Sequence, residues 1–160
     1  DLGGGSILDL GCYPSSLSIL IASLKSENFE NEIKLTDIKK TIGPTDVDLE
    51  AYTKINFPND FVSDIGTSFK KNIGKTTTIT GTKGNIVIPD SWHCELSKFI
   101  VNGKDHNINQ KYNNIFSYEI ESISNSLLNN ELEPKYPAIK RDETEINMKI
   151  LNDWKNSNEK

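Results

Sequence analysis

Asp9 and Tyr13 lie four residues apart in an otherwise apolar stretch, and together they could move a proton. On a regular helix this spacing places both side chains on one face, one turn apart. A tyrosine hydroxyl can give a proton to an alcohol or carbonyl oxygen, or take one, if its pKa of about 10 is lowered or a cation assists. A carboxylate one turn away could orient that hydroxyl or bind a substrate hydroxyl. By spacing alone, structural pairing remains the more favoured explanation of the pair.

The glycine run Gly3-Gly4-Gly5 ahead of a predicted helix invites comparison with a phosphate-binding loop. The dinucleotide fingerprint needs glycines at positions one, three and six of a loop that follows a strand. Here the third of these positions is Leu8, and no strand precedes the run. The run therefore predicts a permissive turn beside another domain, and no cofactor-binding residue is assigned to this chain.

Metal ligands and a nucleophilic serine are also poorly supported by the sequence. His93 and Cys94 are adjacent and point in different directions on a helix or a strand, and His106 brings no further ligand at a suitable spacing. Ser15 and Ser16 have no histidine nearby that could activate them. We predict neither a metal site nor a serine hydrolase.

The stretch that carries Asp9 and Tyr13 is predicted to be a helix that is buried on most sides. Its apolar residues recur at spacings of three and four from Ile7 to Leu24, and Ser6 can cap its start. Pro14 lacks a backbone donor and crowds the preceding turn, so the helix is either kinked there or restarts there. If it restarts, Tyr13 lies at a helix break rather than on the same face as Asp9.

From about residue 32 the pattern changes to the alternation that is typical of strands. In the segment from Val47 to Phe57 the odd positions are apolar or Thr and the even ones are mostly polar, which predicts a half-buried strand. Short turns separate the other candidate strands, so the sheet should be mostly antiparallel. These candidates are Ile33 to Ile42, Phe61 to Lys70, Thr76 to Thr80, Ile86 to Ile88, Phe99 to Val101 and Asn107 to Gln110.

Two helices are predicted to close the chain. The first carries a single apolar stripe and the second a shorter one. The stripes are Phe116, Ile120, Ile123 and Leu127, and then Ile146, Ile150 and Trp154. A helix, a run of strands and two more helices predict an α+β fold, with an open, mostly antiparallel six- or seven-stranded sheet and helices packed on one face. The other face of the sheet would carry Glu50, Tyr52, Lys54 and Asn56.

Length and composition limit the classes of function. A chain of 160 residues is predicted to form one domain, residues 1–160. A net charge of −5 argues against nucleic-acid binding, and the apolar runs are too short for a membrane span. With two cysteines and no signal-peptide pattern, we expect a reduced, cytoplasmic setting. Residue 1 is Asp, so either the start has been processed or the chain begins inside a longer protein.

Three segments resemble the Gfo/Idh/MocA oxidoreductases, which include glucose–fructose oxidoreductase and inositol dehydrogenase. Residues 3–14, Gly-Gly-Gly-Ser-Ile-Leu-Asp-Leu-Gly-Cys-Tyr-Pro, are similar to the start of the family's carboxyl-terminal domain. Residues 43–48, Gly-Pro-Thr-Asp-Val-Asp, are similar to its turn before a sheet strand, and residues 81–84, Gly-Thr-Lys-Gly, to its hairpin. The closing helices also fit, so the resemblance covers nearly the whole chain.

The resemblance implies a role for the Asp9 and Tyr13 pair. Many family members carry histidine four residues after this aspartate, and Tyr13 instead resembles the branch of glucose–fructose oxidoreductase and dimeric dihydrodiol dehydrogenase. In that branch the tyrosine is the proposed proton donor or acceptor opposite the nicotinamide, which makes Tyr13 the candidate catalytic residue. Asp9 matches the accompanying aspartate, which implies that it orients the substrate.

The same resemblance implies what this chain lacks. A full-length member pairs an N-terminal Rossmann domain that binds NAD or NADP with a C-terminal α+β domain that supplies part of the substrate pocket and the oligomer interface. The family's catalytic lysine lies in a Glu-Lys-Pro motif of the first domain, and this chain has no such motif. We therefore expect half of a dehydrogenase of sugars, polyols or cyclic alcohols, inactive alone, that forms a homodimer or homotetramer through the open sheet face. The alternative is a non-enzymatic scaffold or ligand-binding module with the same fold.

Overall fold

The strands of the α+β fold pair antiparallel as predicted, and their hydrogen bonds form two open sheets rather than one. The computed structural model describes residues 4–26, 28–93 and 98–157. In chain order the elements are α1 (Ser6–Asp9), α2 (Cys12–Lys25), a 3-10 helix (Phe29–Glu32), β1 (Lys34–Ile42), β2 (Asp48–Phe57), β3 (Phe61–Ser68), β4 (Thr77–Gly81), β5 (Gly84–Ile88), β6 (Lys98–Val101), β7 (Lys104–Asn107), α3 (Phe116–Leu128) and α4 (Arg141–Asn156).

The chain divides into two compact units. Unit 1 comprises Asp1–Ile73 and Ile139–Lys160, and unit 2 comprises Gly74–Ala138. Sheet β1-β2-β3 belongs to unit 1 and sheet β4-β5-β6-β7 to unit 2. The last strand, β7, lies three residues before the predicted position, because the turn at Asn102 and Gly103 reverses the chain directly into Lys104.

Unit 1 is built on the central strand β2. From Ala51 to Phe57 its odd residues are buried and its even residues only half-buried, as the alternation predicts. Helices α1, α2 and α4 pack on this three-stranded sheet. The shared core is formed by Ile7, Ile19, Ala22, Phe29, Ile38, Ala51, Ile55, Phe57, Ile65, Ile150, Leu151 and Trp154.

Helix α4 brings the end of unit 1 back onto its beginning. Ile150 and Trp154 of the predicted stripe are buried, and Ile146 packs partly buried against the same core. At the helix start the Lys140 amide donates a 2.9 Å hydrogen bond to the Glu143 carboxylate, which satisfies one backbone N–H group at the N-terminus of α4. The core therefore joins segments from both ends of the chain.

Unit 2 has regular secondary structure but no hydrophobic core among its described residues. Its described residues contain no buried hydrophobic side chain, and Ser126 is its one buried residue. The predicted stripe of α3 lies along one side of that helix, and its side chains are between 52% and 71% exposed. No helix in the described part of the chain combines the length and the apolar character that a membrane crossing needs.

Candidate active site

The helix that was predicted to carry both site residues is broken between them. Helix α1 ends at Asp9 and α2 begins at Cys12, and the Tyr13 amide donates to the Leu10 carbonyl at 3.3 Å. Gly11 occupies the break, where a Cβ atom would lie 2.4 Å from the Ile7 carbonyl oxygen and 3.0 Å from the Trp154 ring. A side chain at this position would therefore collide with the backbone of α1.

Pro14 is not the point at which the helix breaks. It is the third residue of α2, where its missing N–H would have had no partner within the helix. The expectation of a kink or restart at Pro14 is therefore wrong, because the break lies at Leu10 and Gly11, where there is no room for a side chain at position 11. Tyr13 consequently lies in the first turn of α2, directly after the break.

Asp9 and Tyr13 are both accessible at the surface. The Tyr13 side chain is 59% exposed and Asp9 is also exposed. Because α1 and α2 are separate helices, the two residues do not share the face of one regular helix, and no hydrogen bond joins their side chains. Their roles in proton transfer and substrate orientation remain predictions, with both groups open to a ligand.

A buried carboxylate that the sequence analysis missed holds the start of α1. Asp48 on β2 is 3% exposed, and its Oδ2 accepts hydrogen bonds from the Ser6 hydroxyl at 2.8 Å and from the Ile7 amide at 2.7 Å. The residue at the N-terminal cap is Gly5, with φ 115°, so the expectation that Ser6 caps the helix is wrong. The cap comes from a distant strand instead.

The burial of Asp48 has a local cause in the register of β2. The pairing with β1 shifts between Thr41 and Ile42, which stand opposite Glu50 and Asp48. This irregularity places Asp48 on the buried side although its even number suggests the polar face. The one signal in the sequence was an acidic residue shortly after a glycine-proline turn, and it does not distinguish a cap from a surface charge.

Two further contacts anchor the segment that carries the site. The Thr67 hydroxyl on β3 donates to the Ser6 carbonyl at 3.0 Å, and Asn147 Nδ2 on α4 donates to the Cys12 carbonyl at 3.3 Å. Cys12 also donates its thiol to the Asp9 carbonyl at 3.5 Å. Burial raises the pKa of the Cys12 thiol, which keeps it protonated beside the site.

The second face of the unit 1 sheet carries a polar network. Lys71 pairs with Glu50 at 3.0 Å and lies 5.9 Å above the Tyr52 ring, and Lys54 pairs with Asp37 at 2.5 Å. The hydrogen bond from Lys71 lowers the pKa of Glu50. As predicted, this face presents Glu50, Tyr52, Lys54 and Asn56, and it is half-buried and charged rather than apolar.

The other candidate groups form no site in the described residues. Those residues contain no cluster of three side chains that could hold a metal ion, and Cys94 lies outside them. The His93 ring contacts Asp90 at 3.2 Å, and the His106 ring stacks on Phe99. Ser15 is fully buried, which excludes it as an exposed nucleophile.

A surface cavity of unit 1 lies away from the predicted site. It measures about 520 Å³ and lies between β1 and α4, where Leu35, Lys149, Ile150 and Asp153 are among its lining residues. Neither Asp9 nor Tyr13 lines it. This cavity is therefore not part of the predicted site.

Comparison with solved structures identifies the fold. The chain superimposes with a TM-score of 0.68 on an aldose-aldose oxidoreductase from Caulobacter crescentus that was solved in complex with glycerol, at 18% sequence identity. The match covers 94% of this chain and 44% of the oxidoreductase. The predicted resemblance to the carboxyl-terminal domain of the Gfo/Idh/MocA oxidoreductases is confirmed as a likeness of fold.

Comparisons by sequence found no related protein. No protein-family model matches the chain, and no curated protein matches it either. The chain therefore has the α+β fold of part of an oxidoreductase and spans less than half the length of the protein whose fold it shares.

Proposed function

We propose that this chain is the carboxyl-terminal domain of an NAD(P)-dependent oxidoreductase that acts on a sugar, a polyol or a related cyclic alcohol. The observation that carries the proposal is the placement of Tyr13. Its hydroxyl is exposed in the first turn of α2, on a segment anchored to the sheet by Asp48 and Thr67, within a fold shared with an aldose-aldose oxidoreductase. An exposed phenol on a fixed backbone is suited to proton exchange with a bound substrate.

The described residues do not fit a nicotinamide dinucleotide. A dinucleotide site uses a glycine loop between a strand and a helix, whose N-terminus binds the pyrophosphate. Here α1 has only four residues, and the Asp48 carboxylate already accepts a hydrogen bond from the Ile7 amide near its N-terminus, where the carboxylate would repel a phosphate. NAD or NADP is therefore assigned to an N-terminal Rossmann domain outside this chain.

Within the proposed reaction, Tyr13 exchanges a proton with the oxygen of the substrate. The hydroxyl would donate to a carbonyl oxygen during reduction, or accept from an alcohol during oxidation. Such exchange near neutral pH needs a cation close to the phenol. The resemblance assigns that cation to the lysine of the missing domain, and Asp9 would bind a substrate hydroxyl nearby.

The test of Tyr13 is its replacement by phenylalanine in the protein that includes the N-terminal domain. A positioned acid–base group contributes about 10²- to 10⁴-fold, so Tyr13→Phe should lower turnover by that factor, about 2.7 to 5.5 kcal/mol. Initial rates of nicotinamide reduction with aldoses and polyols measure the effect. Folding should be unchanged by circular dichroism, because the hydroxyl is exposed.

Tyr136→Phe is the matched control for this experiment. Tyr136 belongs to unit 2 and is 60% exposed, close to the value for Tyr13, so both variants lose one exposed hydroxyl. Tyr136→Phe should retain full turnover. A loss smaller than threefold in Tyr13→Phe would remove Tyr13 from the mechanism, and no oxidation of any aldose or polyol by the unaltered protein would refute the proposed activity.

The 160-residue chain by itself should be inactive. Without a dinucleotide site it should neither change the fluorescence of NADH or NADPH nor oxidise substrate. Titration of the chain with either reduced nucleotide measures this directly. Micromolar binding by the isolated chain would show that the assignment of the cofactor to another domain is mistaken.

The partner proposed for the second face of the unit 1 sheet is a second copy of this chain. Its mixed charges and the Tyr52 ring suit a wet, self-complementary interface in a homodimer or homotetramer. Sedimentation analysis of Tyr52→Glu should show dissociation to monomers. Lys149→Glu, at an exposed position on α4, is the control and should leave the assembly intact.

One observation favours a second candidate function, a non-enzymatic scaffold or ligand-binding module. The described residues lack a cofactor site, and the polar sheet face would suffice to hold a partner. This alternative predicts that the protein with its N-terminal domain still assembles but neither binds a nicotinamide cofactor nor oxidises any sugar or polyol. The rate measurements described for Tyr13 separate the two functions.

A further inference from the structure

We propose that Asp48 is a positioning residue whose buried carboxylate fixes the start of α1 and thereby sets where Tyr13 lies. The inference rests on the proposed function of Tyr13. It concerns a residue on a different element, 35 positions further along the sequence, that does not touch the substrate.

The first step of the argument is the chemistry of the clamp. Both hydrogen bonds that Asp48 accepts, from the Ser6 hydroxyl and the Ile7 amide, reach the same oxygen, Oδ2. The bond from the hydroxyl is 2.8 Å long, and the bond from the amide, at 2.7 Å, is at the short end of the range for N–H···O hydrogen bonds. A carboxylate that is 3% exposed is costly to bury unless it is bonded in this way.

The second step is the close fit around the other carboxylate oxygen. A Cβ atom on Gly5 would lie 2.2 Å from Asp48 Oδ1, so the backbone of the glycine segment passes directly over the carboxylate. Gly5 has a φ of 115°, a backbone angle that residues with a side chain rarely adopt. The backbone of Gly5 and the side chain of Asp48 therefore fix each other.

The third step is a path of hydrogen bonds from the clamp to Tyr13. Ser6, held through its hydroxyl by Asp48, accepts at its carbonyl from the Leu10 amide at 2.9 Å and from the Gly11 amide at 3.0 Å. The Leu10 carbonyl then accepts from the Tyr13 amide at 3.3 Å. The path runs from β2 through the turn between α1 and α2 to the first turn of α2, so a shift at Ser6 is transmitted to Tyr13.

The first arm of the test uses the 160-residue chain and does not depend on enzymatic activity. With ¹³Cζ-labelled tyrosine, Asp48→Ala should shift the Tyr13 signal and leave those of Tyr112, Tyr118 and Tyr136 in unit 2 unchanged. Exchange of the Ile7 amide should rise at least tenfold. Asp48→Asn, which keeps a neutral acceptor, should show the same changes to a smaller extent, and it serves as the test variant if Asp48→Ala does not fold.

Asp46→Asn is the matched control. Asp46 is an exposed carboxylate two residues away, and asparagine tolerates its φ of 60°. This change removes a carboxylate charge from the turn just before β2 and should alter neither the Tyr13 signal nor the exchange of the Ile7 amide. An unchanged Tyr13 signal in both Asp48 variants would overturn the proposal.

The second arm is a double-mutant cycle in the protein with its N-terminal domain. Asp48→Asn should lower kcat about tenfold and leave KM within about twofold, since the misplaced group is the proton donor. In the Tyr13→Phe background the same change should lower kcat by less than twofold, because its effect acts through the lost hydroxyl. Equal losses in both backgrounds would mean that Asp48 serves stability alone, which overturns the positioning role.

The two arms separate this proposal from the proposed function. If the unaltered protein oxidises nothing, the proposed function fails, and the Tyr13 signal in the chain still decides whether Asp48 sets the placement of that residue. If the protein is active and the Tyr13 signal does not respond to Asp48, the positioning role fails while the proposed function stands.

Discussion

Units 1 and 2 each combine an antiparallel sheet with helical structure, but they differ in what holds them together. Every buried hydrophobic side chain of the described residues lies in unit 1, where α1, α2 and α4 cover a three-stranded sheet. Unit 2 has a four-stranded sheet and a 13-residue helix, yet its large apolar side chains are exposed or half-buried. Because burial of apolar surface is the dominant favourable term in folding, unit 1 should carry most of the stability of this chain.

This difference in packing also shows which unit can hold a catalytic side chain in a fixed position. The predicted catalytic segment is attached to the better-packed unit by buried hydrogen bonds from Asp48 and Thr67. In unit 2 the ion pairs lie largely at the surface, such as Lys98 with Asp105 at 2.9 Å. Surface pairs of this kind contribute only about 0 to 1 kcal/mol. A site that depends on fixed positions is therefore better supported by unit 1.

The largest effect is expected from truncating the core of unit 1. Trp154 is fully buried, so Trp154→Ala should lower the free energy of unfolding by about 3 to 5 kcal/mol. Leu128→Ala in unit 2, at a side chain that is 81% exposed, should change it by less than about 0.5 kcal/mol. Urea unfolding followed by circular dichroism measures both, and similar losses in the two variants would contradict the comparison.

A smaller effect is expected from matched glycine substitutions, one in each unit. A Cβ atom at Gly11 meets the Ile7 carbonyl oxygen at 2.4 Å, so Gly11→Ala should destabilise by about 1 to 3 kcal/mol. At Gly81 the nearest atom is the Gly84 carbonyl oxygen at 4.0 Å, so Gly81→Ala should fit without a clash. The midpoints of thermal unfolding compare the two, and a Gly11→Ala variant as stable as the parent would show that the break between α1 and α2 can relax.

The smallest effect is expected from a titration within unit 2. Burial would raise the pKa of Asp90, but hydrogen bonds from the His93 amide and ring and from the Trp92 amide, together with the charge of Lys75, lower it to about 2. A carboxyl whose pKa is lower in the folded state stabilises that state above its ordinary pKa of 3.8, and this contribution is lost as the pH falls toward 2.

Trp92 fluorescence provides the measurement for Asp90. In a Trp154→Phe background, Trp92 is the one tryptophan left, and it reports on unit 2. The urea midpoint should fall between pH 4 and pH 2, and Asp90→Asn should remove much of that fall. If Asp90→Asn follows the same pH profile as its parent, the local contacts of Asp90 do not stabilise unit 2.

The sequence predicted those elements of the fold that leave a periodic pattern of apolar residues. The alternation around Ala51 and Ile55 identified β2 and its buried face, and the stripe with Ile150 and Trp154 identified α4 and its packing face. It missed the break at Gly11, because only the folded chain brings the Ile7 carbonyl and the Trp154 ring to where a side chain at this position would lie. It also missed the division into two sheets, since strand periodicity does not state which strand pairs with which.

The residues of the candidate site also fall into those that the sequence identified and one that only the structure revealed. The residue types and the resemblance of residues 3–14 named Asp9 and Tyr13, which are local features of one segment. Only the tertiary structure placed Asp48 beneath that segment, because a hydrogen bond between residues 41 or 42 positions apart leaves no periodic signal in the sequence. Local periodicity thus determined the elements, and long-range burial of one carboxylate decided how the segment with Tyr13 is held.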